Sequence, residues 1–412
     1  MKICLLSYRG NPYCGGQGVY INYLAREMVK QGHEVHVLVG PPYPFSMDGA
    51  KLHEIHDFNF YNFYMGFPAD QNPLTVFSPL HFIELAAARV GFFPEMFAFS
   101  FRSFNRLKEI IESEKFDVIH DNQCLGYGLL LMKNFSIPVI STIHHPLSVD
   151  RLIEFEHHPK FSDRYRRVLY YPLSMQKFVA KRLDAIVTVS NSSARDIIRY
   201  FHVNPKKIRV VYNGVDTDAF QRTNGVAKGK KNLIFVGNSD DRKKGVLYLL
   251  QAMKKLQDDV KLTIVDGGAP RKRFAPTMVR KYGLEDRVTF TGKVKSTEEL
   301  VKLYSSSNIA VVPSLYEGFG FPAAEAMSCE LPIIASKISS LPEVVGNGEN
   351  GVLVPPRDPD ALASGIEHLL SDEQLMLKMG KSARKRVEDL FSWKEAAKKT
   401  VSVYEEAIRA YR

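Results

Sequence analysis

The chain has 412 residues, 45% of them hydrophobic and 24% charged, with a formal net charge of +10 and a pI near 9.2. That length predicts two or three domains, each able to bury its own core, and the composition is that of an ordinary globular protein. No run of eighteen apolar residues occurs, which excludes a membrane-spanning helix from the reading.

The positive excess is spread along the chain: residues 1–215 hold 24 Lys+Arg against 19 Asp+Glu, and the remainder 31 against 26. With no basic tail to account for it, the charge favours a nucleotide-sugar or an anionic membrane surface as partner. No nucleic-acid module and no aromatic-glycine signature of an RNA-binding sheet is present, so nucleic acid is not expected. Cys4, Cys14, Cys124 and Cys329 stand apart, without a C-x-x-C pair or metal-ligand spacing. That pattern fits a reducing cytoplasm. The opening MKICLLSYRG has too few apolar residues for a signal-peptide core.

In chain order, Lys2–Ser7 reads as a buried strand, followed by a loop with Gly15-Gly16, a helix from Val19 to Lys30 and a strand from Val35 to Val39. Gly32 stands at the helix stop, where a left-handed residue is wanted. This is a β–loop–α–β unit, the first part of a doubly wound sheet. Residues 58–104 are dense in Phe and Tyr and broken by Pro68, Pro73, Pro79 and Pro94. Two readings stay open there: a packed lid, or a surface for a membrane or a lipid-linked acceptor, with Arg89, Arg102 and Arg106 as its cations.

Strands are expected over 117–120 and 138–143, the second ending in His144-His145-Pro146. Open α/β sheets bind ligands at the C-terminal ends of their strands, which makes His144 a candidate. A metal pair from His144 and His145 is disfavoured, because successive side chains on a strand point to opposite faces. The basic, aromatic run 164–182 reads as a solvated helical face or a site of attraction to anionic lipid. A strand over 183–190 follows, ending at a Ser-Asn cap, and then Val210-Val211-Tyr212-Asn213-Gly214-Val215-Asp216.

A polar, Gly- and Lys-rich linker precedes a second α/β unit: strand 233–237, the charged loop SDDRKKG, an amphipathic helix, and the strand and glycine turn 261–268. The stretch 311–327, VVPSLYEGFGFPAAEAM, carries the strongest chemical signal. It reads as strand, glycine loop with Gly318 and Gly320, and a helix opened by Pro322, whose missing N–H costs nothing at a helix start. Unpaired N–H groups and the helix dipole favour a phosphate there. Glu317 and Glu325 bracket the loop, and carboxylates suit neutral hydroxyls. Together the two suit a nucleotide diphospho-sugar; on these residues alone, a solvated loop with an ordinary helix-start glutamate stabilised by the dipole is an equal reading. The remaining strand 331–335 is followed by a C-terminal amphipathic helix, in which Trp393 is expected to pack in a core.

The segment E-G-F-G-F-P-x-x-E-A resembles the E-x7-E signature of family 4 retaining glycosyltransferases. Signatures across essentially the whole chain agree with it. The resemblance implies an α/β fold of the GT-B type, two Rossmann-like domains facing each other across a cleft. Its expected division is 1–218, a linker 219–230, 231–390, and a C-terminal helix 391–412 crossing back to the first domain. It implies that Gly15 and Gly16 approach the donor diphosphate and that His144 lies beside the donor sugar. Asn213 to Asp216 resemble the N-G-V-D closing the first domain. Lys244 before Gly245 matches a lysine that contacts the diphosphate, and Gly267 lies in a donor loop. Glu317 would orient the sugar hydroxyls and Glu325 the ribose hydroxyls, with N–H groups of Phe319, Gly320 and Phe321 on phosphate. The chain departs from the pattern after Gly237, where Asn238 stands in place of the usual arginine, and at Glu330, where glycine is frequent. Arg242 or Lys243 would then supply the second cation.

The expected activity is retaining transfer of a hexose from a UDP- or GDP-sugar to an acceptor hydroxyl, on a lipid or lipid-linked glycan as one open class. No cofactor and no metal are expected, since the nearest acidic pair, Asp240-Asp241, lies in the cationic loop. The expected location is cytoplasmic, with a peripheral position at the inner membrane face as an option. Alternatives are a nucleotide-sugar epimerase or sugar-phosphate synthase on the same fold, or a non-catalytic binding module.

Overall fold

The computed structural model describes residues 1–11, 15–44, 46–56, 79–89, 94–157, 172–226, 231–266, 274–292, 294–346 and 348–411. They form two compact units, Met1–Val211 with Ala396–Arg412, and Tyr212–Glu395.

The first unit is built on a seven-stranded sheet ordered β3-β2-β1-β4-β5-β6-β7. Its strands are β1 Lys2–Ser7, β2 Glu34–Val39, β3 Lys51–Glu54, β4 Val118–Asn122, β5 Val139–Ile143, β6 Ala185–Thr188 and β7 Ile208–Val210. Every neighbouring pair is parallel. Parallel strands carry helices on both faces, so they read as unbroken apolar runs; KICLLS and VISTI are of this kind, and β4 and β5 are buried throughout. The core joins Leu6, Ile119, Val139 and Ile186 to Phe99, Leu129 and Phe201.

The second unit has a six-stranded parallel sheet ordered β10-β9-β8-β11-β12-β13. Here β8 is Asn232–Val236, β9 Lys261–Val265, β10 Val288–Phe290, β11 Ile309–Val312, β12 Ile333–Ser336 and β13 Gly351–Val354. Each sheet reverses its strand order once, between β1 and β4 in the first and between β8 and β11 in the second. Loops leaving the two strands at such a reversal diverge, and the crevice between them is where open α/β sheets take ligands.

Most expected elements are present within a residue or two. The first helix runs Gly16–Lys30, three residues longer than expected, because the N–H groups of Gly18 and Val19 both donate to the Gly15 carbonyl. The edge strand β3 was missed; its KLHE is short and half-exposed, with little apolar signal. Gly32 takes the expected left-handed φ of 85°. Glu330 takes φ 57°, which accounts for a frequent glycine at that place: the backbone after the helix Phe321–Ser328 turns left-handed there.

Residues 213–216 pair with the start of the last helix, within the second unit. Val215 N–H donates to the Phe391 carbonyl, and a Cβ on Gly214 would lie 2.1 Å from the Trp393 nitrogen. Trp393 is buried and stacks on Phe321, as a core residue should. The helix Trp393–Tyr411 then continues into the first unit, where the Tyr404 hydroxyl meets His120 Nδ1.

Of the aromatic region, residues 57–78 and 90–93 lie outside the described ones. In the described part Phe99 is fully buried, and Phe97 and Phe104 pack against the core. Arg102 is paired with buried Glu84 and Arg106 with Glu109, so neither guanidinium stands clear of a carboxylate. Phe82, by contrast, is 64% exposed. No described helix is long and apolar enough to cross a membrane.

Candidate functional site

In the second unit the two loops leaving β8 and β11 are stitched together. The loop after β8 runs from Gly237 through a short helical turn, Arg242–Lys244, to Gly245. Asn238 Oδ1 accepts from the Asp240 N–H and Asp241 Oδ1 from the Lys243 N–H, so both residues act as turn caps. Asp240 Oδ1 likewise accepts from the Phe274 N–H. Asp266, at the end of β9, accepts from the backbone and hydroxyl of Ser239 and fixes the start of the loop. Leu315 N–H donates to the Lys243 carbonyl at 2.6 Å, and Gly245, at φ 67°, lies so close to Pro313 that a Cβ would sit 1.9 Å from its carbonyl oxygen.

This stitching brings Lys244 and Glu317 together. The Lys244 aliphatic stem crosses Gly237, and its Nζ donates to Glu317 Oε1 at 2.8 Å. The same oxygen accepts from Ser314 Oγ at 2.8 Å. The Glu317 N–H donates to Ser339 Oγ, while Ser340 Oγ donates to the carbonyls of Glu317 and Phe319. Glu317 is thus held at its carboxylate through Oε1 and at its backbone, buried to 8% exposure, with a partly exposed ammonium on it. Ser314, Ser339 and Ser340 were not singled out from the sequence, since no spacing ties them to Glu317.

The turn after Glu317 reaches Gly320 at φ 100°, and the helix begins at Phe321 with Pro322 in its first turn. Ala323 and Ala324 N–H groups close back on the Gly320 carbonyl. Phe319 is buried, held edge-to-face by Phe321 and Phe391, so the backbone of the turn rests on an aromatic cluster. Among the described residues the Phe319 and Gly320 N–H groups have no recorded acceptor. Glu325, one turn inside the helix, is half-buried; burial raises its carboxyl to about 7, partly offset by the Tyr304 hydroxyl donating at 3.4 Å.

The Arg242 guanidinium lies over the Phe274 ring, 3.1 Å from the centroid, and burial lowers its pKa. Gly267 lies outside the described residues.

In the first unit His144 follows β5 directly, next to the reversal between β1 and β4. Its N–H donates to Gln123 Oε1, its carbonyl accepts from Ser193 Oγ and its Nε2 meets Asn122 Oδ1 at 2.8 Å. Burial, with smaller contributions from His145 and His120, pushes its pKa down to about 3, so the imidazole is neutral. His145 pairs separately with Asp150, at 2.8 Å. Gly15, at φ 113°, precedes the helix whose first residue is Gly16.

One group of metal-ligand types converges among the described residues: ligand atoms of Glu34, His36 and Glu114 lie within 4.8 Å of one another. It sits at the N-terminal ends of the first sheet's strands, whereas His144 follows the C-terminal end of β5, and it is already neutralised by Lys2 and Lys51. Eighty residues separate its members, which hid it from motif reading.

The model described as Glycosyl transferases group 1 matches residues 216–386, and that of Glycosyltransferase Family 4 matches residues 14–219. Over 414 residues, covering 99% of this chain and 98% of the other, the sequence is 38% identical to the MMP alpha-(1->4)-mannosyltransferase of Mycolicibacterium hassiacum. The chain belongs to glycosyltransferase family 4. Like the family, it is an enzyme of glycosyl transfer. Solved structures agree on the fold. Sucrose-phosphate synthase of Thermosynechococcus elongatus superposes with a TM-score of 0.77 at 23% identity over 99% of both chains. Anabaena HepE in complex with UDP and glucose does so with 0.70 at 19% over 98% of both. The fold of this glycosyltransferase is GT-B.

Proposed function

We propose that this glycosyltransferase moves a hexose from a nucleotide diphospho-sugar to an acceptor hydroxyl, with retention of configuration and without a metal ion. The observation that carries the reading is the Lys244–Glu317 pair, fixed where the second sheet reverses its strand order and next to a turn offering N–H groups. A diphosphate takes the ammonium and the N–H groups of Phe319 to Phe321; the carboxylate, held by Ser314, then faces sugar hydroxyls. Fixed donors of this kind stabilise charge developing on a leaving group. Gly15, Gly16 and His144 are proposed to serve the same donor, and Gly237, Gly267 and Gly318 to let backbone approach it. Asn238, whose Oδ1 caps its own loop, offers at most an amide N–H, and Arg242 on its Phe274 platform is the proposed second cation. The relative's name, an alpha-mannosyltransferase, supports retention, and UDP bound in HepE supports a nucleotide donor. The acceptor is proposed to be a hydroxyl of a glycan, with a lipid-linked one at an anionic membrane face the more specific option.

The deciding experiment is a thermal-shift series with UDP, GDP, ADP and their sugars on the wild type and Lys244→Ala. A ligand at a hundred times its Kd stabilises by about 2.7 kcal/mol. A rise with one diphosphate that disappears in the variant fixes the base; no rise with any of them refutes the donor site.

Glu325 gives a pH test. Its raised carboxyl is protonated below about 7 and then has one oxygen turned donor, which removes one of the two ribose-hydroxyl contacts a carboxylate can accept. Nucleotide affinity should therefore improve by about tenfold between pH 6 and pH 8, following the ionised fraction. In Glu325→Gln that pH dependence should vanish. A wild-type affinity flat across this range, measured by calorimetry, removes Glu325 from the ribose.

A further inference from the structure

The hydrogen bonds around Asn122 have only one consistent direction. Ser7 Oγ donates to the Arg9 carbonyl at 2.8 Å, so its oxygen accepts from Asn122 Nδ2 at 3.1 Å. The other Nδ2 proton goes to the Gln17 carbonyl at 3.0 Å, which can only accept. Both amide protons are spent, so Nδ2 and Oδ1 are not interchangeable here. Oδ1 must accept from His144 Nε2, and that nitrogen must carry the ring proton.

The rest of His144 is fixed as well. Gln123 spans its N–H and the His145 carbonyl, from a left-handed φ of 55°, and Ser193 occupies its own carbonyl. The strain at Gln123 is held by Asp121, whose carboxylate takes the N–H groups of Cys124 and Leu125 and the Ser141 hydroxyl. The Tyr20 ring and the imidazole pack edge-to-face, with centroids 4.8 Å apart. The Tyr20 hydroxyl turns away to Thr142, which also meets His120. Among the described residues, Nδ1 is the one polar atom of His144 with no hydrogen-bond partner, and the residue as a whole keeps 9% exposure.

We infer that Asn122 is a positioning residue: it locks His144 as the Nε2–H tautomer and leaves Nδ1 as a bare hydrogen-bond acceptor for a sugar hydroxyl. The ligand part of this inference rests on the proposed donor reading; the tautomer does not. An acceptor nitrogen selects a group that donates, so a hydroxyl is favoured there, and a phosphate or carboxylate is repelled. Among the described residues, the titratable groups facing the ring are Tyr20 from the first helix, His120 of β4 beyond Thr142, and neighbouring His145 on Asp150. None of them places a full carboxylate on the imidazole that would draw a second proton to it.

The first test is ring nitrogen-15 NMR of histidine-labelled wild type, with the His144 signals assigned by their loss in His144→Gln. A neutral ring protonated at Nε2 from pH 5.5 to 8 is expected; an Nδ1–H tautomer or an imidazolium in that range overturns the inference. In Asn122→Leu the signals should move toward a tautomer mixture, and an unchanged spectrum would mean that Asn122 does not set the proton. The second test uses monodeoxyfluoro UDP-glucose and GDP-mannose, since fluorine keeps an acceptor but removes the donor. Positions held by Glu317 should lose affinity equally in both proteins, whereas one further position should cost about tenfold in the wild type, the worth of about one hydrogen bond, and nothing further in Asn122→Leu. Equal tolerance of every fluoro analogue refutes the hydroxyl contact. Failure of both parent nucleotide-sugars to bind refutes the donor reading instead, and leaves the tautomer to be decided by the spectrum.

Discussion

Lys244→Ala is expected to lower kcat by about 10²–10³, the usual worth of one fixed donor on developing charge. Its Nζ is part-buried, 2.8 Å from Glu317, and its stem is guided across Gly237. No other described cation is recorded on that carboxylate. The fold should survive, because Glu317 keeps Ser314 on its carboxylate and Ser339 and Ser340 on its backbone. Glu317→Ala should lose activity to a similar degree while nucleotide binding falls less, since its proposed contacts are to the sugar. Steady-state kinetics beside a melting curve separates these effects. Near-wild-type turnover in either variant, with its melting temperature intact, removes that residue from the mechanism. Arg242→Ala discriminates further: if its guanidinium is the second cation, nucleotide affinity should fall as far as in Lys244→Ala, and an unchanged affinity would reduce it to a packing partner of Phe274.

Gly245→Ala is expected to cost more stability than any other single methyl in the donor loops. Two penalties coincide at this position. A left-handed φ of 67° strains any L residue by about 1–2 kcal/mol. The added Cβ would also sit 1.9 Å from the Pro313 carbonyl oxygen, a contact that can be relieved only by moving backbone, at a further cost of about 1–3 kcal/mol. Gly283 is a matched control: its φ of 66° is the same, and nothing lies within 4 Å of its Cβ position. Gly283→Ala should show the strain alone. A melting temperature for Gly245→Ala well below that of Gly283→Ala, with the nucleotide response lost, supports a close approach that shapes the site. Equal melting temperatures would mean that the two loops can part without cost.

Local chemistry was legible in the chain itself. Gly320 and Pro322 announce a helix start after a strand, and Phe321–Ser328 begins there because both signals act within a few residues. The apolar runs KICLLS, VISTI and NLIFV predict parallel strands buried on both faces, since solvent leaves no polar alternation in such strands. The N-G-V-D stretch is visible as a signature, but the need for glycine at 214 comes from the Trp393 nitrogen, 179 positions later.

What only the tertiary structure decided are the pairings and protonation states. Lys244 and Glu317 are 73 positions apart, and their contact exists because β8 and β11 are neighbours across a strand-order reversal that no periodicity encodes. The sequence marks Arg242 as a candidate second cation; only packing shows that its guanidinium rests on an aromatic ring. The sequence marks His144 as standing at a strand end. Which of its nitrogens carries the proton depends on Ser7, Gln17 and Asn122, brought from two strands and a helix. Sequence alone determines the elements and the residue types that can do the chemistry, because both are set by short-range sterics and side-chain polarity. Charge state, tautomer and partner depend on burial and on contacts between distant segments, and those are settled only when the sheets close.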